Sequence, residues 1–255
     1  MHSLVNGPVN IRSSLSSLSA IRVGDDWSYQ NNLLTLGQYC CCDSDGASLW
    51  NAPVKISLSR APAFANCIKV VESALLESGI IRNSVAGVTH SLTMQRLDSY
   101  QSLLSDSLLS TEATEQYAVP AELIGLIGCG EGLTPAGDDV LVGVLIAAIH
   151  FDLTHLSDPL ISWLKLYSQV RTNQISHTHL LAACEGQSIE PLHILLNTLA
   201  SDSNNLSSTT NSTSKNSLEQ AITTLMNHGH SSGYYTLTGV LLVLKTLAGS
   251  MTETC

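Results

Sequence analysis

Glycine occupies alternate positions at Gly128, Gly130 and Gly132, and Thr134-Pro135 and Gly137-Asp138-Asp139 follow at once. Alternate glycines let successive backbone N–H groups turn toward one point and form a concavity for an anion. The apolar run from Val140 reads as a helix, and its positive end near Asp138 faces the same point. Two adjacent carboxylates beside an anion repel it unless a divalent cation bridges them, which points to Mg²⁺ on Asp138 and Asp139 with a phosphate alongside. A second reading of the same residues needs no ligand: Asp138 caps the helix, Asp139 favours its dipole, and the glycines make a tight turn. No Lys-Ser/Thr pair follows the last glycine, so this is not a P-loop.

Two further clusters carry polar groups at helix starts. In "RTNQISHTHLLAACEG", residues 171–186, the side chains of Arg171, Thr172, Asn173, Ser176, His177 and His179 are placed to line a polar pocket. His177 and His179 are two apart and diverge on a helix, which makes a poor chelate. The ligand-free alternative is Ser176 as a cap with the histidines facing solvent. In "NHGHSSGYYTLTGV", residues 227–240, Gly229 and Gly233 bracket His230-Ser231-Ser232 before an apolar helix. That repeats the first pattern and offers another place for an oxyanion or carboxylate, with Ser231 or Ser232 as a plain cap the alternative. A serine hydrolase is disfavoured, because there is no G-x-S-x-G elbow and no acid placed to orient His230. The Cys40–Cys42 triplet has no CxxC spacing, and three consecutive residues of a strand do not converge on one ion.

The elements that must position these clusters change character along the chain. Residues 1–60 read as a strand-rich region, with strands at 9–15, 20–27, 32–40 and 53–59 between turn signals. Residues 61–255 read as a helical domain, and the whole as α+β: a strand-rich N-terminal part, then a mainly α-helical C-terminal part. Apolar spacing predicts helices over 63–79, 138–151, 158–172, 174–186, 190–200, 217–228 and 232–248. Asp158-Pro159 has the form of a helix start. Residues 201–217, rich in Ser, Thr and Asn, read as a flexible surface loop.

Charge and hydropathy exclude several classes. Eleven Lys and Arg stand against 21 acidic residues, a net charge of −10 with no basic run, which excludes nucleic acid and anionic membrane as partners. No apolar run reaches the roughly 18 residues a membrane span requires. No signal peptide is evident at the N-terminus, and seven cysteines are most simply read as reduced thiols of a cytoplasmic protein.

The three clusters, in this order, resemble one family. Its pattern is a "GLGPGLTPSGDD-x-L-x-G" block, an "R-T-x-x-I-S-x-x-x-L-x-x-A-x-x-G" block, and "G-H-[ST]-S-G" before a final helix. Here they stand as Gly128–Gly143, Arg171–Gly186 and Gly229–Gly233, with Gly239 beyond, inside a resemblance covering residues 120–248. The family is the domain-of-unknown-function 2877 (AllH/YlbF-type) family, which includes the small subunit of bacterial oxamate carbamoyltransferase. This chain departs from the pattern at Cys129, Glu131 and Ala136, and Glu131 puts an extra carboxylate into the expected anion cradle.

The resemblance implies a part in carbamoyl transfer between carbamoyl phosphate and oxamate during anaerobic allantoin (purine) degradation, together with two larger partner subunits. It further implies that Gly128, Gly130, Gly132, Thr134 and Gly137 cradle the phosphoryl group, with Asp138 and Asp139 holding Mg²⁺. Arg171 would pair with an oxyanion, and His230 and Ser232 would orient the second substrate. The alternative is a non-catalytic scaffold subunit, or a small-anion-binding protein of a multi-subunit complex, whose glycines serve close helix packing.

Overall fold

A computed structural model describes residues 25–37, 40–43, 45, 64–78, 125–204 and 212–249. They fall into two compact units, one carrying strands and the other helices. In the first, β1 (Trp27–Gln30), β2 (Leu33–Leu36) and β3 (Cys40–Asp43) form an antiparallel sheet in the order β1-β2-β3. Gln30 pairs with Leu33, so Asn31 and Asn32 alone make the first turn, with φ of 51° and 63°. Asparagine tolerates this left-handed conformation, which two-residue hairpins require. The strand expected over 32–40 is divided: β2 ends at Leu36, a turn at Gly37 intervenes, and β3 begins at Cys40. Of the strand expected over 20–27, only Trp27 among the described residues is in a strand. The strands expected at 9–15 and 53–59 lie outside the described residues, as do the side chains of the cysteine triplet.

The described chain is therefore mainly helical, with one small sheet near its N-terminus, a narrower result than the expected α+β division. The helices are α1 (Ala65–Glu77), α2 (Ala136–His150), α3 (Thr154–Arg171), α4 (Gln174–Cys184), α5 (Glu190–Asn204), α6 (Ser212–Met226) and α7 (Ser232–Gly249). At the centre lies α2, buried on nearly every side, which is why its sequence is apolar all round rather than striped. Its main neighbour is α7, and α3, α4 and α5 also pack against it. By contrast α1 buries a single stripe, Cys67, Val71 and Leu75, and lies against α6 and α7.

Glycine sets the contact between α2 and α7. A methyl group on Gly143 would collide with the Thr236 carbonyl, and one on Gly239 with the Val140 carbonyl. Thr134, just before α2, meets Ser232 at the start of α7, and Gly143 meets Thr236 and Gly239 further along. The two helices thus run parallel with their N-terminal ends together, and α3 to α6 form the connection between them.

Two expectations are corrected here. Helix α3 begins at Thr154 rather than at Asp158, and Pro159 lies inside it. The added turn brings Leu156 into one buried row with Leu160, Trp163 and Leu164, a gain set against the backbone bond that proline forgoes. The loop expected over 201–217 is helical at both ends, with α5 reaching Asn204 and α6 starting at Ser212. Ser201 is accommodated by donating its hydroxyl to the Asn197 carbonyl at 2.9 Å. Residues 205–211 lie outside the described residues.

Candidate functional site

The glycine loop owes its shape to backbone conformation. Gly128, Gly130 and Gly132 have φ of 71°, 123° and 92°, values that a side chain disfavours. A methyl group at Gly128 would also strike the Arg171 carbonyl, so the loop lies directly against the end of α3. Gly132 is exposed with open space around it, and there conformation alone calls for glycine. The loop closes onto α2 where Gly137 N–H donates to the Cys129 carbonyl at 2.8 Å. No described residue accepts a hydrogen bond from the backbone N–H groups of Gly130, Glu131, Gly132 or Leu133.

Asp138 is the centre of a hydrogen-bond network rather than a cap. Helix α2 starts at Ala136 after Pro135, with no side-chain cap. Asp138, 1% exposed, accepts from Gly128 N–H at 2.8 Å on one oxygen. On the other it accepts from Thr172 Oγ1 at 2.5 Å and Ser176 Oγ at 2.6 Å. Burial pushes its pKa above the usual carboxylate range, and the hydrogen bonds from Ser176, Thr172 and Gly128 pull against that. Asp138 therefore ties the first sequence block to the second. Asn173 adds a link by donating from Nδ2 to the Leu133 carbonyl at 3.0 Å. It also caps α4 by accepting from Ser176 N–H, so Ser176 is not the cap.

Asp139 is differently placed. It is 8% exposed, and its Oδ2 is buried without a hydrogen-bond partner. Burial pushes its pKa up to about 8; the Asp138 charge adds to this, while the Ser232 and Thr134 hydroxyls oppose it. Those two hydroxyls are 2.7 Å apart, which ties the first block to the third. Tyr235, one turn into α7, is buried and acted on by the Asp139 charge. Sequence reasoning passed over this tyrosine, whose signal was its place one turn inside a helix that begins with a candidate residue.

The expected Mg²⁺ pair does not fit this donor set. Asp138 has donors on both oxygens, leaving one free oxygen on Asp139, and Mg²⁺ seeks several hard oxygen ligands in octahedral array. Among the described residues no three His, Cys, Asp or Glu side chains are grouped to hold a metal ion.

The remaining candidates stand around the loop. Arg171 ends α3 with an exposed side chain, its carbonyl facing Gly128. His230 is exposed on the turn before α7, and Ser232 is half-buried beneath Thr134. His177 and His179 do not face solvent as a pair. Both are half-buried, with His177 Nδ1 2.8 Å from Ser168 Oγ and the pKa of His179 lowered by burial. All three blocks thus adjoin the loop, and the N-terminal ends of two parallel helices, α2 and α7, meet beside it. Such ends favour negative charge.

Residues 126–244 match the family model described as oxamate carbamoyltransferase subunit AllH. The matched segment contains all three blocks and bears out the family resemblance read from them. No curated protein and no solved structure matches the chain. Among the described residues, no helix is long and apolar enough to cross a membrane.

Proposed function

On the premise of that family match, we propose that this chain is a subunit of an oxamate carbamoyltransferase. The reaction moves a carbamoyl group between carbamoyl phosphate and oxamate, as a step in anaerobic allantoin breakdown. The oxamate nitrogen attacks the carbamoyl carbon, its N–C bond forms, and the C–O bond to phosphate breaks with the electron pair leaving on phosphate, which takes up the proton the nitrogen loses. One observation carries the reading: the Thr134–Ser232 contact brings the glycine loop and the start of α7 together at two helix N-termini. In this reading the N–H groups of Gly130, Glu131, Gly132 and Leu133 receive phosphoryl oxygens, those of Gly128 and Gly137 being engaged by Asp138 and the Cys129 carbonyl, and the Thr134 and Ser232 hydroxyls donate to the carbamoyl or carboxylate oxygens. Arg171, exposed at the end of α3, neutralises charge on the anion, and the exposed His230 orients the second substrate by a hydrogen bond. Two larger subunits complete the enzyme. Mg²⁺ has no part in these steps.

Calorimetric titration of oxamate and of inorganic phosphate into the full chain tests the site. Saturable heat that falls at least tenfold in affinity with Ser232→Ala or Arg171→Met supports it. Carbamoyl transfer by the assembled complex should fall with the same variants. Unchanged binding and unchanged transfer in both would refute the assignment.

The alternative, a scaffold without ligand, draws on the glycines at Gly143 and Gly239, which packing alone explains. It predicts no heat from either anion and no rise in melting temperature on adding them.

A further inference from the structure

Two aspartates that follow one another in sequence meet opposite conditions. Asp138 accepts three hydrogen bonds shared over its two oxygens, which favour its ionised form against the burial that disfavours it. Asp139, next along the helix and 8% exposed, has a buried Oδ2 with none. A buried carboxylate oxygen lacking a donor is expensive as an anion, and more so beside a second carboxylate. Carrying a proton, the same group becomes a hydrogen-bond donor beside the Thr134 and Ser232 hydroxyls, at the ends of two parallel helices. The ionisable groups acting on it are Asp138 from its own helix and Tyr235 from α7, and Cys129 in the loop acts in turn on Tyr235. Among the described residues no ionisable group of α3 or α4 acts on it, and the Thr172 and Ser176 hydroxyls are engaged by Asp138.

Resting on the anion site proposed above, we infer that this site takes up its oxyanion together with a proton held on Asp139. The neutral acid donates to the anion, whereas the ionised form repels it. Anion binding and protonation therefore reinforce each other, and each must raise the affinity for the other. No metal is needed to reconcile the carboxylate with the anion, because the proton does so.

The test uses probes whose charge does not change between pH 6 and 9: oxamate for the carboxylate end and sulfate for the phosphoryl end. Each is titrated into the full chain by calorimetry in buffers of different ionisation enthalpy. With Asp139 half-ionised near pH 8, binding should take up about half a proton at pH 8 and almost none at pH 6. Affinity should fall up to about tenfold per pH unit above pH 8. Asp139→Asn, which keeps a donor and cannot ionise, should bind equally at pH 6 and 9 with no proton uptake. Uptake with one probe only assigns Asp139 to that end of the substrate and supports the inference. Binding with constant affinity and no buffer dependence in the wild type would overturn the proton while leaving the anion site standing. Failure of both probes to bind at any pH would overturn the site and the proton together.

Discussion

The hydroxyls of Thr134 and Ser232 stand 2.7 Å apart although 98 positions separate them in the chain. Each belongs to a segment that locally looks like an ordinary helix start. Their meeting places the glycine loop and the first turn of α7 at one point, and Asp139 lies beside both.

This contact separates binding from stability. Ser232→Ala removes one hydroxyl from a half-buried pair, so the cost in unfolding free energy should stay near about 1 kcal/mol. Urea denaturation checks that value, while oxamate affinity should fall at least tenfold. A large stability loss with normal affinity would show the pair to be structural.

Asp138→Ala should cost far more than the loss of a cap. It leaves Gly128 N–H, Thr172 Oγ1 and Ser176 Oγ without their acceptor, and stranded buried donors cost about 1–3 kcal/mol each. A total above about 3 kcal/mol is expected from chemical denaturation, against the roughly 1 kcal/mol typical of a cap.

How much of this was legible in the sequence follows from the range of each interaction. The starts of α4, α5 and α7 were readable because the apolar spacing that marks them is set within a few neighbouring turns. The glycine loop was readable too, since φ is a local property. Asp138 was not: its partners Thr172 and Ser176 lie 34 and 38 residues away, while a cap and a network centre look alike in sequence. The extra turn of α3 was hidden for a similar reason, because burial of Leu156 in the core outweighed the start signal of Asp158-Pro159.

Asp139 gives the fold a pH dependence of definite sign. Its pKa rises from 3.8 to about 8 on folding, so its favourable contribution is complete below pH 3.8 and is lost as pH rises through 8. Between pH 6.5 and 8 the wild type should lose about 1–2 kcal/mol. Asp139→Asn should be flatter over that window, as read from urea midpoints at fixed ionic strength.

A buried histidine pair acts in the opposite direction. His150 is held down to about 4 by burial and by neighbouring His193, with a backbone hydrogen bond to Leu196 working against this. His193 is lowered to about 4 by burial, and its Nε2 accepts from Ser188 N–H at 3.1 Å. Folding favours the neutral rings, so stability from this source is complete above pH 6.5 and is lost as pH falls toward 4. Acid unfolding of His150→Leu should therefore have a midpoint at lower pH than the wild type, followed by circular dichroism.

Gly143→Ala should disrupt the crossing of α2 and α7. The added methyl meets backbone at the Thr236 carbonyl, which cannot rotate away, and overpacking of this kind costs about 1–3 kcal/mol. Gly132→Ala, in open space at φ 92°, should cost about 1 kcal/mol from conformation alone. Melting temperatures of the two variants give the order.

The parallel course of α2 and α7 also bears on how the protein comes to be folded. Antiparallel neighbours can zip from a short turn, but parallel ones wait until the chain has returned along their length. Here that return is the stretch of α3 to α6, so Thr134 finds Ser232 only after closing a loop of 98 positions. Closure over such a span is paid in chain entropy before any contact rewards it, which slows the search. During synthesis the helices from α2 to α6 emerge first, while the central face of α2 awaits a partner still inside the ribosome. The Thr134–Ser232 contact is thus among the last features to form, and its presence reports that the helical unit has closed.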